Sequence, residues 1–357
     1  VKILIDINHP AHVHYFRNFI RLMEADGHSF CVVNRDSKMI NQLLDAYGIE
    51  HIVRNPRPEK RGTAAALNYL RKMVGWCLKA SRRFHPDLYM GFGSAPCAIT
   101  SFLRRKPCIL LEDTEHNALN HRLYKPFVEK VLTPFYFEKE LWNKPCEKQV
   151  RMNAYIEQLY LHSRYFSMKE AILTELGLER GKYVVARFTA FDAHHDMAVH
   201  PLDRQAKKRI LEHLARKYKI VLSLESAKDE ADPDFAPYIL KFSPEKIHDI
   251  MAGAAFVITE GGTMASEAFV LGVPYIFLSP LLAGNLNYQS KNYPDQVHLI
   301  SSENQVYDSV SSLEATMASS PGLFPMQRKT EIENSTEDPT RLLVDFVSSY
   351  MEKRGKK

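Results

Sequence analysis

Short runs of β-branched and apolar residues alternate along this chain with stretches whose apolar residues recur at helical spacing, and the alternation runs through twice. In the first pass Lys2–Ile7, Ser29–Asn34, Glu50–Arg54, Leu88–Phe92, Pro107–Glu112 and Lys130–Thr133 read as strands, separated by helical patterns at His12–Ala25, Lys38–Tyr47 and Thr63–Phe84. In the last of these, Leu67, Leu70, Val74 and Cys77 or Leu78 make one apolar face. Strands separated by helices pair in parallel through right-handed crossovers, which predicts an α/β sheet covered on both faces. Between Arg151 and Tyr165 the alternation lapses. It then restarts, with strands at Lys182–Thr189, Lys219–Ser223, Tyr238–Phe242, Ala255–Thr259, Val273–Leu278 and His298–Ile300. A chain of 357 residues exceeds what one core serves, so two α/β domains follow, 1–160 and 161–335. Asp338-Pro339 opens a C-terminal helix and basic tail, 338–357, that can cross back to the first domain.

With 45% hydrophobic and 25% charged residues, the composition excludes disordered, collagenous and disulfide-stapled classes. Cys31, Cys77, Cys97, Cys108 and Cys146 lie far apart without a C-x-x-C pair, which fits a reducing compartment. The opening run Val1–Ile7 is too short for a secretory leader, and the apolar stretch near Phe269 is broken by Pro274 and Pro280. A cytoplasmic protein is expected. The net charge of +5 is an average: from Arg54 to Lys106 twelve basic residues face two acidic ones, +10, leaving −5 for the remainder. Such a segment suits a solvated helix face, or contact with the inner leaflet of an anionic membrane in which Met73, Trp76 and Leu78 sit among the cations. It lacks a nucleic-acid recognition motif, so no nucleic-acid partner is expected.

The strongest local signal is Val257–Ala268, an apolar strand running into Gly261-Gly262 and then a helix with small residues, followed by Gly272-Val273-Pro274. Glycines let a ligand approach the backbone, and a helix start offers N–H groups and a positive dipole end to an anion. Glu267 follows Thr263 by one turn, where its carboxylate could accept two ribose hydroxyls. A tight turn and a favourable acidic helix residue account for the same letters. Arg187 ends the first strand of the second domain, where a guanidinium would pair with a diphosphate.

The segment T-E-G-G-T-M-A-S-E-A-F-V-L-G-V-P, Thr259 to Pro274, resembles the GT-B superfamily of nucleotide-sugar enzymes. The loop Asn8-His9-Pro10-Ala11-His12-Val13 and the run Gly91–Pro96 followed by Leu110-Leu111-Glu112-Asp113 support the same resemblance, which covers about Lys2 to Ile300. Within it the chain is similar to an uncharacterised subfamily, a domain of unknown function found with surface-polysaccharide genes. The resemblance implies two Rossmann-like domains facing across a cleft. A nucleotide-sugar donor would lie on Gly261, Gly262, Thr263, Ser266, Glu267 and Arg187, and a glycan or lipid-linked acceptor beside Asn8, Gly93 and Ser94. It implies glycosyl transfer without metal or cofactor, or alternatively 2-epimerisation as in UDP-GlcNAc 2-epimerases, or a non-catalytic nucleotide-sugar-binding module.

His12 is the favoured general base, because an imidazole near its ordinary pKa takes a proton from a sugar hydroxyl at neutral pH. A helix cap or a solvated His fits equally well. With His9 and His14 it makes H-P-A-H-V-H, a spacing that does not converge on one ion. Glu112, with Asp113 and Glu115, could move protons at a sugar carbon or cap the helix near Asn117, and Gly93-Ser94-Ala95-Pro96 lacks the Asp an epimerase acid set would need. His194, His195, Asp196 and His200 are better suited to hydrogen bonding than to a metal, and Asp232-Pro233-Asp234 has a D-x-D look that the two-domain pattern disfavours.

Overall fold

The structure, a computed structural model, describes residues 1–54, 62–188, 202–224, 232–278, 284–319 and 324–355. The chain divides into two compact units, Val1–Tyr160 with Thr336–Lys357, and Leu161–Ser335.

The first unit holds β1 (Lys2–Ile7), α1 (Pro10–Ala25), β2 (Ser29–Arg35), α2 (Lys38–Ala46), β3 (His51–Arg54) and α3 (Thr63–Phe84). These lead into β4 (Leu88–Phe92), α4 (Ala95–Leu103), β5 (Cys108–Leu111), α5 (Ala118–Tyr124), β6 (Lys130–Pro134) and β7 (Gln149–Met152). The sheet is parallel throughout, in the order β3-β2-β1-β4-β5-β6-β7. β1, β4 and β5 are almost continuously apolar and buried because helices cover both faces. The C-terminal helix Pro339–Gly355 belongs to this unit: Thr340 Oγ1 donates to the Leu159 carbonyl at 2.7 Å, and Leu343, Val344 and Val347 are buried.

The second unit holds α6 (Glu170–Glu175), β8 (Tyr183–Phe188), α7 (Arg204–Leu214), β9 (Lys219–Leu224), α8 (Ile247–Gly253), β10 (Phe256–Thr259), α9 (Gly262–Val270), β11 (Tyr275–Leu278), α10 (Gly284–Asn292) and β12 (Val297–Ile300). Its parallel sheet runs β12-β11-β10-β8-β9 over a core that includes Val184, Phe188, Ile258 and Ile276. Helices α11 (Glu303–Ser319) and α12 (Phe324–Asn334) complete it.

Three expectations need correction. Tyr238–Phe242 is not a strand; Ala236–Tyr238 is a 3₁₀ turn that takes up the Tyr238 and Ile239 N–H groups on the Phe235 and Ala236 carbonyls, and Ile239 makes only an isolated bridge to Leu222. Ser243 makes no side-chain cap, and a 3₁₀ turn at Pro244–Lys246 precedes α8. The apolar face of α3 splits: Met73, Val74, Cys77 and Ala80 are buried, whereas Leu67 is 68% exposed and Leu70 is half-buried.

Candidate functional site

In an open parallel sheet, loops leaving neighbouring strands toward opposite sides open a crevice at the strands' carboxyl ends. In the first unit that point lies between β1 and β4, and a pocket of about 640 Å³ occupies it. Its buried end carries Asn8, His12, Ser94 and Glu112 with Thr114 and Asn120; its outer wall is Leu67, Leu70 and Met73 from α3 and Leu119 and Leu123 from α5. His9 caps α1, its Nδ1 accepting from the Ala11 N–H at 3.2 Å, and Ser94 caps α4 through the Cys97 N–H. Gly93 stands at φ 51°, and a Cβ there would lie 2.9 Å from Glu112 Oε2. Only glycine lets the loop turn this close to the carboxylate.

Behind the pocket lies an ion pair the sequence did not disclose. Arg54 Nη2 sits 2.5 Å from Asp6 Oδ1, both side chains fully buried. Asn8 donates to Asp6 at 3.0 Å and accepts from Arg54 at 2.6 Å, while the Ser94 hydroxyl donates to Asp6. Asn8 and Ser94 therefore line the site with side chains already engaged in its floor. Arg54, counted in the basic segment, contributes nothing to a basic surface.

His12 packs against Phe92, ring centroids 4.8 Å apart, and its Nδ1 accepts a long bond from the Asn8 N–H at 3.4 Å. Burial, and then the neighbouring His9, push its pKa down to about 3, far from the ordinary value that favoured it as a base. The ring is neutral, and with Nδ1 accepting, Nε2 carries the hydrogen. His14 is buried elsewhere, bonded to Tyr47 and stacked on Tyr160, so the three histidines do not converge. Glu112 is 2% exposed; Oε1 accepts from the Thr114 N–H at 3.0 Å and Oε2 from the Tyr124 hydroxyl at 3.1 Å. The adjacent Asp113 is raised to about 7 by burial and by the Glu112 charge. Helix α5 is capped by Asn117 rather than by an acidic residue.

In the second unit the equivalent position lies between β8 and β10, where Arg187 and Thr259 are paired. Gly261 precedes α9 and its N–H is held by Thr259 Oγ1 at 2.9 Å. Neither Gly261 nor Gly262 has a positive φ, and a Cβ on Gly262 would meet open space, so internal packing demands glycine at neither. Thr263 is exposed. Ser266 accepts from Asn285, and Glu267, 6% exposed, pairs with the buried His248 at 3.0 Å. Arg187 Nη1 donates to Ser223 at 2.9 Å. Glu260, just before the glycines, forms a buried ion pair with Lys207 at 2.8 Å. His248 and Lys207 were not anticipated, because each reaches the loop from a helix distant in sequence. At Gly272, φ 76°, a Cβ would stand 2.0 Å from the Pro325 carbonyl oxygen, so the Gly-Val-Pro step is set by the close approach of α12.

Residues 1–352 match the family described as "Protein of unknown function (DUF354)". The chain belongs to the DUF354 family. A curated relative of this DUF354 chain, the "Uncharacterized protein MJ0665" of Methanocaldococcus jannaschii, is 20% identical over 98% of the chain and 99% of the relative. The UDP-GlcNAc 2-epimerase of Neisseria meningitidis, solved with UDP-GlcNAc, superimposes with a TM-score of 0.73 at 12% identity, covering 98% of this chain and all of the epimerase chain. The glycotransferase of kitacinnamycin gives a TM-score of 0.60 at 13% identity, covering 98% of each chain. The two parallel-sheet units of this DUF354 protein thus have the GT-B fold that the motif resemblance implied.

The remaining candidates resolve simply. Asp232 and Asp234 are clamped by Arg204 and Lys208, whose hydrogen bonds hold both carboxyls below the usual range. Met73 is buried and Trp76 and Leu78 are half-buried, so the exposed apolar residues near the cations are instead Leu67, Phe102, Leu103, Leu119 and Leu123. His194, His195, Asp196 and His200, like Arg57, Lys60 and Arg61, lie outside the described residues. Among the described residues no group of three His, Cys, Asp or Glu side chains could hold a metal ion, and no helix is long and apolar enough to cross a membrane.

Proposed function

We propose that this protein is a glycosyltransferase that moves a sugar from a nucleotide-sugar donor to a glycan or lipid-linked acceptor without a metal ion. The observation that carries the reading is the pocket of the first unit. At about 640 Å³ it exceeds what a sugar ring fills and falls in the range of sites that hold a whole ligand, which suits a second substrate. In the second unit the N–H groups of Gly262 and Thr263 face the phosphates beside Gly261, whose own N–H stays with Thr259 Oγ1; Arg187 pairs with the departing diphosphate, and Ser266 and Glu267 hold the nucleoside, Glu267 on the ribose. That glycine is required at 261 and 262 by neither backbone nor packing supports clearance for a ligand there.

His12, neutral and hydrogenated at Nε2, is a poor proton acceptor; on this reading it donates to the acceptor oxygen while Glu112 takes the hydroxyl proton. The exposed cations Arg71, Lys79, Arg82, Arg83, Arg105 and Lys106 would hold the protein to an anionic cytoplasmic membrane surface. A second reading, 2-epimerisation, rests on Glu112, the carboxyl among the described lining residues; Asp113 beside it, raised to about 7, is not part of that lining.

Calorimetry with a panel of nucleoside diphosphate-sugars tests the donor site: the best ligand should lose at least tenfold in affinity in Glu267→Ala, and unchanged binding would sink the assignment. Incubation in D₂O separates the activities. Deuterium entering sugar carbon 2 without acceptor identifies an epimerase, whereas acceptor-dependent release of nucleoside diphosphate identifies a transferase.

A further inference from the structure

Building on the transferase reading of the first unit's pocket, we propose that the pocket binds an uncharged amphiphile, a hydroxyl-rich head joined to a hydrocarbon body. The lining is divided by chemistry. Where the strands end it offers hydrogen-bonding groups, Asn8, His9, His12, Glu112, Thr114 and Asn120; toward solvent the walls are leucines. Leu67 and Leu70, three residues apart on α3, form one stripe, and Leu119 and Leu123, four apart on α5, form another. Leu67 is 68% exposed and Leu119 is 71% exposed. A lone exposed leucine is ordinary. Two stripes walling one cavity whose closed end is polar are a different arrangement, and they match a ligand with the same polarity gradient.

Charge narrows the class. Among the described residues the lining contains no Lys or Arg, its one ionisable carboxyl is Glu112, whose Oε2 lies 3.5 Å from His121 Nε2, and His12 is neutral. A phosphate or carboxylate head would meet that carboxylate with no Lys or Arg among the described lining residues to offset it, and desolvating it there is unfavourable. Sugar hydroxyls can donate to Glu112 and accept from His12 Nε2–H and the asparagine amides. The acceptor implied is a glycoside whose aglycone is a hydrocarbon, with its uncharged sugar at the polar end and the chain between the leucines.

The test uses octyl β-D-glucoside below its micelle concentration, with glucose and octyl phosphate as comparisons, read on the whole protein by NMR of labelled leucine methyl groups. Octyl glucoside should shift the Leu67, Leu70, Leu119 and Leu123 signals in a saturable manner, at least tenfold more tightly than either glucose or octyl phosphate. Leu67→Asp and Leu119→Asp should each weaken it tenfold with the thermal midpoint unmoved. Equal or tighter binding of octyl phosphate, shifts elsewhere, non-saturable partitioning, or variants that bind like the wild type would each overturn the proposal. The wild-type comparison of the three probes stands even if a variant fails to fold. Failure of the wild type to bind any nucleotide-sugar while these shifts persist would instead overturn the transferase reading.

Discussion

The two switch-point loops stand on similar foundations and present different surfaces. Asp6–Arg54 lies behind the first and Glu260–Lys207 behind the second, each a buried ion pair at the carboxyl end of a central strand. In the first unit the pair reaches forward through Asn8 and Ser94 into the lining of a deep pocket of side chains. In the second it braces a turn that leads through Gly261, its N–H held by Thr259 Oγ1, into the start of α9, where the proposed donor contact is to backbone. Side-chain sites select shape and polarity, while backbone sites suit a group common to many ligands, such as a phosphate.

The sharpest way to break this comparison is to remove a cation. Arg54→Ala leaves Asp6 buried without its counter-charge and should destabilise the protein by about 3–5 kcal/mol in chemical denaturation. Lys207→Ala should fall in the same range through Glu260. If Arg54→Ala costs less than about 1 kcal/mol, the pocket floor does not depend on the pair. Gly272→Ala comes next: a positive φ combined with the Pro325 carbonyl in the way should cost about 2–3 kcal/mol, and a neutral result would show that α12 can shift.

The legibility of the two sites differed for the same physical reason. Most strands of both sheets followed from periodicity, and the strands Lys2–Ile7 and Leu88–Phe92 and the helix Thr63–Phe84 have the boundaries that the pattern predicts, whereas β7 carries no such pattern and Tyr238–Phe242 carries it without forming a strand. The turn in the second unit showed in the sequence because a backbone site is written in consecutive letters, glycines after an apolar strand. The pocket showed only through the resemblance, which set Asn8, Gly93 and Ser94 on the acceptor side; its leucine walls did not show, because Leu67 and Leu119 come from segments that only the sheet order brings beside Asn8 and Glu112. His12 was placed correctly at a helix start, but its pKa depends on Phe92 and other packing partners that no local pattern specifies.

Titration offers a subtler separation within the first unit. His12 is depressed to about 3 against an ordinary 6.5, so the unfolded chain binds a proton first and stability falls as pH drops from 6.5 toward 3. His12→Gln should flatten that limb by about 1 kcal/mol, a modest figure because the side chain keeps some contact with solvent. Asp113, raised to about 7 from 3.8, works in the opposite direction: stability falls as pH rises from about 4 to 7, and Asp113→Asn should remove the loss. The two windows overlap between about pH 4 and 6.5, where the contributions oppose, so each is read as a difference from wild type: from pH 3 to pH 8 the His12→Gln and Asp113→Asn differences in denaturation midpoint should slope in opposite directions. Parallel difference slopes would contradict the assigned environments.

The smallest effect is expected at Leu67, and set against Met73 it separates a core face from a site wall within α3. Met73→Ala removes a side chain that is 2% exposed and should cost about 2–5 kcal/mol. Leu67 lies on the stripe that sequence periodicity joins to the same face, yet it is 68% exposed, so Leu67→Ala should stay within about 0.5 kcal/mol of the wild type. An apolar residue that contributes little to folding has a role only if something outside the fold covers it. Loss of octyl glucoside binding in Leu67→Ala, at unchanged stability, would assign the first turns of α3 to ligand; a stability loss matching that of Met73→Ala would return them to the core.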